Sequence, residues 1–322
     1  MKAKCLKAEQ KLLGHKNKTA FKVKLKRFLP IYLMAVPGII YLIINNYMPM
    51  LGIFIAFKKV NFSLGIFKSP WCGFKNFEYL FATKDAWVIT RNTILYNLAF
   101  IALNLAVGVM LAIILNEIAG SRLRQVYQSF VLIPYLISII IVGYLGYSLF
   151  STKTGFLNTV ILPFFGLDPV KWYSTPKVWP IILCVVNTWK NAGYYCIIYL
   201  AAVMSIDPVY YEAATIDGAG WWAKVFRITI PTILPVIITM TLLQVGRIFY
   251  SNFGLFYQVP MDQGMLYPTT NVVDTYVYRA LINSGDISMS AAASVYQSIV
   301  GFVTVVLANL AIRRIDRESA LF

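Results

Sequence analysis

Asp207-Pro-Val-Tyr-Tyr-Glu-Ala-Ala-Thr-Ile-Asp-Gly-Ala-Gly220, running on to Ile228-Thr-Ile-Pro231, is a short polar interruption between two long apolar runs. Asp207 is a residue type that caps helix starts, and Pro208 suits a first helical position, where no backbone N–H is needed. Val209 to Thr215 then reads as two turns of helix, stopped by Asp217-Gly218-Ala219-Gly220. The loop is a short helix, a flexible corner and a second helical start. Such a protrusion calls for a socket on a partner.

The rest of the chain explains where that loop sits. Hydrophobic residues make up 59% of the 322 and charged residues only 13%, and the mean hydropathy is +0.67. A water-soluble domain carries roughly 25% charged residues. The chain therefore lacks a soluble surface, and its apolar runs are long enough to cross a bilayer core roughly 30 Å thick as helices. Six emerge: about Ile31–Phe57, interrupted at Pro37-Gly38 and Met48-Pro49, then Thr93–Leu115, Val126–Phe150, Val178–Met204, Ile228–Tyr250 and Ala291–Ile312.

The net charge of +16 is unevenly placed. Lys2, Lys4, Lys7, Lys11, Lys16, Lys18, Lys22, Lys24, Lys26 and Arg27 precede the first span, opposed only by Glu9. With no folded basic face or groove-reading residues beside them, they read as a cytoplasmic tail against anionic lipid, not a nucleic-acid site. Arg122, Arg124, Lys224, Arg227, Arg313, Arg314 and Arg317 fall on the same side if both termini are cytoplasmic. The loop at 206–231 is then cytoplasmic, and 58–92, 151–177 and 251–290 face outward. Within the last, Asn271 to Asn283 alternates apolar and polar residues at helical spacing, as a helix at the membrane surface would. The expected organisation is a basic tail at 1–28, a first transmembrane helix with its outer segment at 29–92, a permease-like core at 93–313 and a cytoplasmic tail at 314–322. Cys5, Cys72, Cys184 and Cys196 show no metal or disulfide spacing.

Energy coupling is absent from the chain itself. No G-x-x-x-x-G-K-[ST] loop is present, and Gly218-Ala219-Gly220 follows a helix instead of a strand. None of the six apolar cores contains Asp, Glu or His, where a proton-driven transporter would place its relay. Uphill transport would need a motor on another subunit, reached from the cytoplasm.

Glu212-Ala213-Ala214, three residues, Gly218, nine residues, then Ile228-Thr229-Ile230-Pro231 resembles the EAA signature of ATP-binding-cassette importer permeases, with Ile230 in place of the family's Leu. Met48-Pro49-Met50, Asn76-Phe77-Glu78-Tyr79-Leu80, Trp189-Lys190-Asn191 and Asp274-Thr275-Tyr276-Val277-Tyr278-Arg279 are similar to its carbohydrate branch, which takes up oligosaccharides and polysaccharides; nearly the whole chain is covered. The resemblance implies an all-α integral membrane protein of about six transmembrane helices, with a cytoplasmic coupling helix between spans four and five. That helix docks on an ATPase subunit dimer, which binds ATP and Mg; this chain would hold no cofactor or metal and catalyse nothing. It also implies a second, different permease subunit, an extracellular solute-binding protein and a bacterial plasma-membrane location. By that resemblance Glu212 carries the charged contact, Ala213 and Ala214 allow close approach, and Asp217 and Gly218 form the corner.

Polar stripes mark the candidate solute pathway. Asn187, Lys190, Asn191 and Tyr194 share a face of span four; Gln244 and Arg247 share one of span five, and Asn97 and Asn104 lie on span two. Amides suit sugar hydroxyls and aromatic faces suit their C–H surfaces. Lys190 and Arg247 together would suit an acidic sugar. Ser290, Ser294, Gln297, Ser298, Gly301 and Thr304 in span six read instead as helix–helix packing. A permease for another solute such as glycerol phosphate remains an alternative. So, from another class, does a polytopic glycosyltransferase, for which Asp207, Glu212 and Asp217 are the only acidic cluster.

Overall fold

The computed structural model describes residues 28–118 and 120–315. Residues 1–27 of the expected basic tail and 316–322 of the C-terminal tail lie outside them. The chain forms two compact units, one ending at Phe54 and one beginning at Ile55.

The first unit holds most of α1, the helix Phe28–Phe57. It runs through Pro37 without a break and widens into a π turn at Ile43–Tyr47 just before Pro49. Proline lacks the N–H for the i→i−4 bond and crowds the preceding turn, which a π turn relieves.

The second unit comprises α2 (Lys75–Ala82), α3 (Lys84–Asn116), α4 (Ser121–Leu136), α5 (Ile139–Phe150), α6 (Trp179–Met204), α7 (Pro208–Ile216), α8 (Trp221–Val245), α9 (Phe253–Gln258), α10 (Val273–Ile282) and α11 (Ile287–Ile315). Four helices are long and apolar enough to cross a membrane: α1, α3, α8 and the Ile287–Leu310 part of α11. The number rises to six if each of two bent pairs counts as one span, α4 with α5 at 90° and Pro176–Met204 with α7 at 70°. All of this is helix, turn and loop, with one isolated antiparallel bridge between Lys58 and Trp71 among the described residues.

The third apolar run is thus not the single straight helix expected over Val126–Phe150. Pro134 removes one helical donor, and Ile137 and Ser138 leave the helical region with ψ of 133° and 140°. The fifth run also differs. Its helix starts early, at Trp221, passes a π turn at Val225–Thr229 ahead of Pro231 and ends at Val245 instead of Tyr250.

α3 and α6 pack along their lengths at the centre. Gly108 permits their approach: a Cβ there would lie 2.8 Å from Tyr195 Cβ and 3.2 Å from the Tyr199 ring. Tyr96, Phe100, Trp179, Leu183, Phe256 and Val272 fill one core, and Ala112, Cys196, Tyr199 and Leu200 another. In a bilayer such contacts hold by close packing, since lipid is as apolar as the side chains.

At the end of the bundle away from α7, the helix expected within 271–283 is α10. Asn92 Nδ2 donates to Asn271 O at 2.9 Å, and Val273 N donates to Thr93 Oγ1 at 3.1 Å. Asp274 Oδ2 accepts from Ser251 N at 2.8 Å and Gln297 Nε2 at 3.1 Å, while burial pushes its carboxyl above the ordinary value. Gln297 also donates to Phe249 O at 2.6 Å, so this polar residue of α11 joins helices. Arg279 pairs with Asp262 at 2.6 Å, lies 4.0 Å from the Tyr267 ring centroid and donates to Asn271. These bonds tie α10 to α3, to α11 and to the segment that follows α8.

Candidate functional site

Two places gather the candidate residues. The first is the α7 loop. Asp207 Oδ1 accepts from Val209 N at 3.0 Å, and Pro208 occupies the first turn. The other end closes with Gly218 at φ +76°, Gly218 N donating to Thr215 O at 3.1 Å and Ala219 N to Ala214 O at 2.9 Å. That pair of bonds is a Schellman motif, which needs a left-handed residue that glycine supplies without strain.

The loop is braced from inside. Tyr211 Oη and Thr229 Oγ1 share a hydrogen bond of 2.9 Å, Lys224 Nζ donates to Thr215 Oγ1 at 2.8 Å, and Trp221 Nε1 donates to Glu117 Oε1 at 3.0 Å. Its other face is bare. Val209, Tyr210, Glu212, Ala213, Ile216, Asp217 and Trp222 are exposed, Ile216 by 87%. Ala214 is half-buried. Glu212 stands at a small cavity shared with Asn116, Arg124 and Tyr211. The helix is thus braced on one side and presents on the other an open, largely apolar face that carries Glu212 and Asp217.

The second place is a cavity of about 590 Å³ between α3, α4, α6 and α8, within the roughly 300–1,000 Å³ range of ligand sites. Asn187, Asn191, Tyr194, Gln244 and Arg247 all line it. So do Asn97 and Asn104 of α3, with Tyr135, Tyr195, Tyr250 and Asn252. Asn187 Nδ2 donates to Asn104 Oδ1 at 3.4 Å, and Asn191 Nδ2 donates to Asn187 Oδ1 at 3.0 Å. This amide ladder keeps acceptors and donors turned to the cavity. Tyr135 stacks on Tyr194 with ring centroids 5.0 Å apart and an interplanar angle of 17°. Arg247 is the charged residue of the lining, no carboxylate lines the cavity, and the one ion pair among the described residues lies elsewhere, at Arg279.

Lys190, expected on the same stripe, is not among the lining residues. Its Nζ donates to Pro134 O at 3.3 Å, to Tyr135 O at 3.1 Å and to Ile137 O. The stripe is real, but the long lysine stem swings to the end of α4. Tyr135 went unread because it follows Pro134 inside an apolar run; the proline was the one available sign that the chain breaks there and turns a ring inward.

Residues 88–317 match the family described as "Binding-protein-dependent transport system inner membrane component". The chain is 33% identical to the Bacillus subtilis (strain 168) polygalacturonan/rhamnogalacturonan transport system permease protein YteP over 90% of its own length and 89% of that protein's. A solved chain from a bacterial ABC transporter involved in the import of the acidic polysaccharide alginate superposes with a TM-score of 0.82. Sequence identity there is 34%, over 91% of this chain and 98% of that one. A chain from the bacterial alginate ABC transporter in complex with an alginate pentasaccharide-bound periplasmic protein is similar at TM-score 0.81 and 33% identity, covering 91% and 96%.

Proposed function

This chain belongs to the family of binding-protein-dependent transport system inner membrane components, and on that premise we propose that the cavity between α3, α4, α6 and α8 is where an oligosaccharide crosses the membrane. The protein is a multi-pass membrane permease subunit of an ABC importer. Its solute arrives on an extracellular binding protein, and its energy comes from a separate ATPase dimer that carries the ATP and Mg. A second, different permease subunit completes the pathway, and both termini lie in the cytoplasm. In this reading α7 is the coupling helix, Glu212 makes the charged contact to the ATPase, Ala213 and Ala214 allow its approach, and Asp217 and Gly218 set the corner.

The observation that carries the cargo assignment is the lining: amides, tyrosines and one arginine, with no carboxylate among them. Sugar hydroxyls meet the amides, and ring C–H faces meet the tyrosines. The arginine adds a preference for a carboxylate, which its planar fork binds in a two-point fashion. Alginate is an acidic polysaccharide and the YteP cargo is named polygalacturonan/rhamnogalacturonan, which supports an acidic oligosaccharide here.

Uptake by the assembled importer in proteoliposomes tests this. Arg247→Gln should lower the rate for a uronate trisaccharide about tenfold, a loss near 1.4 kcal/mol, and leave the same trisaccharide as its methyl ester unchanged. Equal rates for the acidic sugar in variant and wild type would remove Arg247 from recognition. Glycerol phosphate would also be drawn to Arg247 but leaves the tyrosine faces unused; its transport without uptake of either trisaccharide would favour that solute instead.

A further inference from the structure

The ammonium of Lys190 has three N–H donors and no acceptor capacity. All three meet backbone carbonyls at one place, those of Pro134, Tyr135 and Ile137. That place is the 90° break between α4 and α5. A helix that stops leaves its last carbonyls without intrahelical partners and presents the negative end of its dipole. Inside a bilayer no bulk water can satisfy them. Lys190 supplies both the donors and the charge, from the helix packed beside α4.

The packing brings the two within reach. Gly193, one turn further along α6, has so little space that a Cβ would run into the backbone carbonyl of Val131. α4 and α6 therefore touch backbone to backbone at Gly193, and Lys190 spans the small remaining gap to the end of α4. Tyr135 sits between two of the clamped carbonyls and carries one of them, and its ring stacks on Tyr194 in the cavity wall.

We propose that Lys190 is a positioning residue for translocation: by holding the last carbonyls of α4 it fixes the break in the third span, and through it the place of Tyr135 in the cavity wall. With every donor engaged, it does not read the solute's charge. Arg247, beyond the end of α8, has that role in the proposed function, on which this inference rests for the meaning of the cavity.

The test uses the complete importer, with binding protein, both permeases and ATPase, in proteoliposomes. Uptake is measured for a uronate trisaccharide and for its methyl ester with Lys190→Met, Tyr135→Leu and the double variant Lys190→Met/Tyr135→Leu. Lys190→Met should slow uptake of both sugars at least tenfold, against the roughly hundredfold that a misplacement of about 1 Å can cost. The double variant should be no slower than Tyr135→Leu alone, since residues acting through one another do not add.

A second readout is independent of cargo. Spin labels at Tyr144→Cys on α5 and Met204→Cys on α6, with the native cysteines replaced, should give a narrow distance distribution that shifts or broadens in Lys190→Met. Unchanged distances, a loss confined to the acidic sugar, or losses that multiply in the double variant would each overturn the clamp. A wild-type complex that moves neither sugar would overturn the proposed cargo and leave the distance measurement to decide the clamp.

Discussion

Gly193→Ala is expected to disable the permease at the level of its helix packing. The added Cβ would collide with the carbonyl of Val131 and lie 2.9 Å from Leu132 Cα. Both are backbone atoms, so no rotamer change relieves the clash, and α4 has to move off α6. Overpacking of this kind costs about 1–3 kcal/mol. The displacement also carries the end of α4 away from Lys190, leaving carbonyls and an ammonium unpaired at membrane depth, which adds to the loss. The purified importer should therefore melt several degrees lower by fluorescence-detected size exclusion, with uptake reduced at least in proportion. Gly220→Ala is the control, because nothing lies within 4 Å of a Cβ there. Wild-type melting of Gly193→Ala would mean that α4 and α6 are not in backbone contact in the assembled protein.

Gly218→Val should have the largest effect on transport with the smallest on insertion. At φ +76° a β-branched residue is strained, and the left-handed conformation costs an L-residue about 1–2 kcal/mol. The strain can be relieved only by giving up the bonds from Gly218 N to Thr215 O and Ala219 N to Ala214 O, which frays the end of α7 bearing Ile216 and Asp217. In the proposed function α7 docks on the ATPase, and a frayed end would cost that contact its rigid face. ATP-driven uptake should fall tenfold or more, while the amount of permease in the membrane stays the same and less ATPase co-purifies. Gly218→Asn should lie between, because asparagine tolerates the left-handed region. Full uptake by Gly218→Val with the ATPase still attached would dissociate α7 from coupling.

Much of this molecule was readable along the chain. The apolar runs, the loop at 206–231 and the helix within 271–283 are local: each is written in residue types and their spacing, so each could be read from neighbours a few residues apart. The cap at Asp207 and the corner at Gly218 belong to the same class, since both are set by backbone bonds within one turn. The stripe on α6 was equally legible. Its periodicity placed Asn187, Asn191 and Tyr194 together, and they do share the cavity.

Other features were hidden because they depend on what stands opposite. The break within Val126 to Phe150 frees carbonyls where α4 ends, and the side chain that donates to them, Lys190, is more than fifty residues away. Arg247 and Lys190 look alike in sequence, two cations on apolar spans, yet the fold gives the first an open cavity and the second three carbonyls.

By itself the sequence determined the membrane helices and the capped loop between the fourth and fifth apolar runs, because hydropathy and capping are properties of short segments. The tertiary structure alone decided which polar residues line the cavity and which bond to backbone carbonyls. A charged side chain in a membrane goes to the partners that replace water, and only the packed helices say where those partners are.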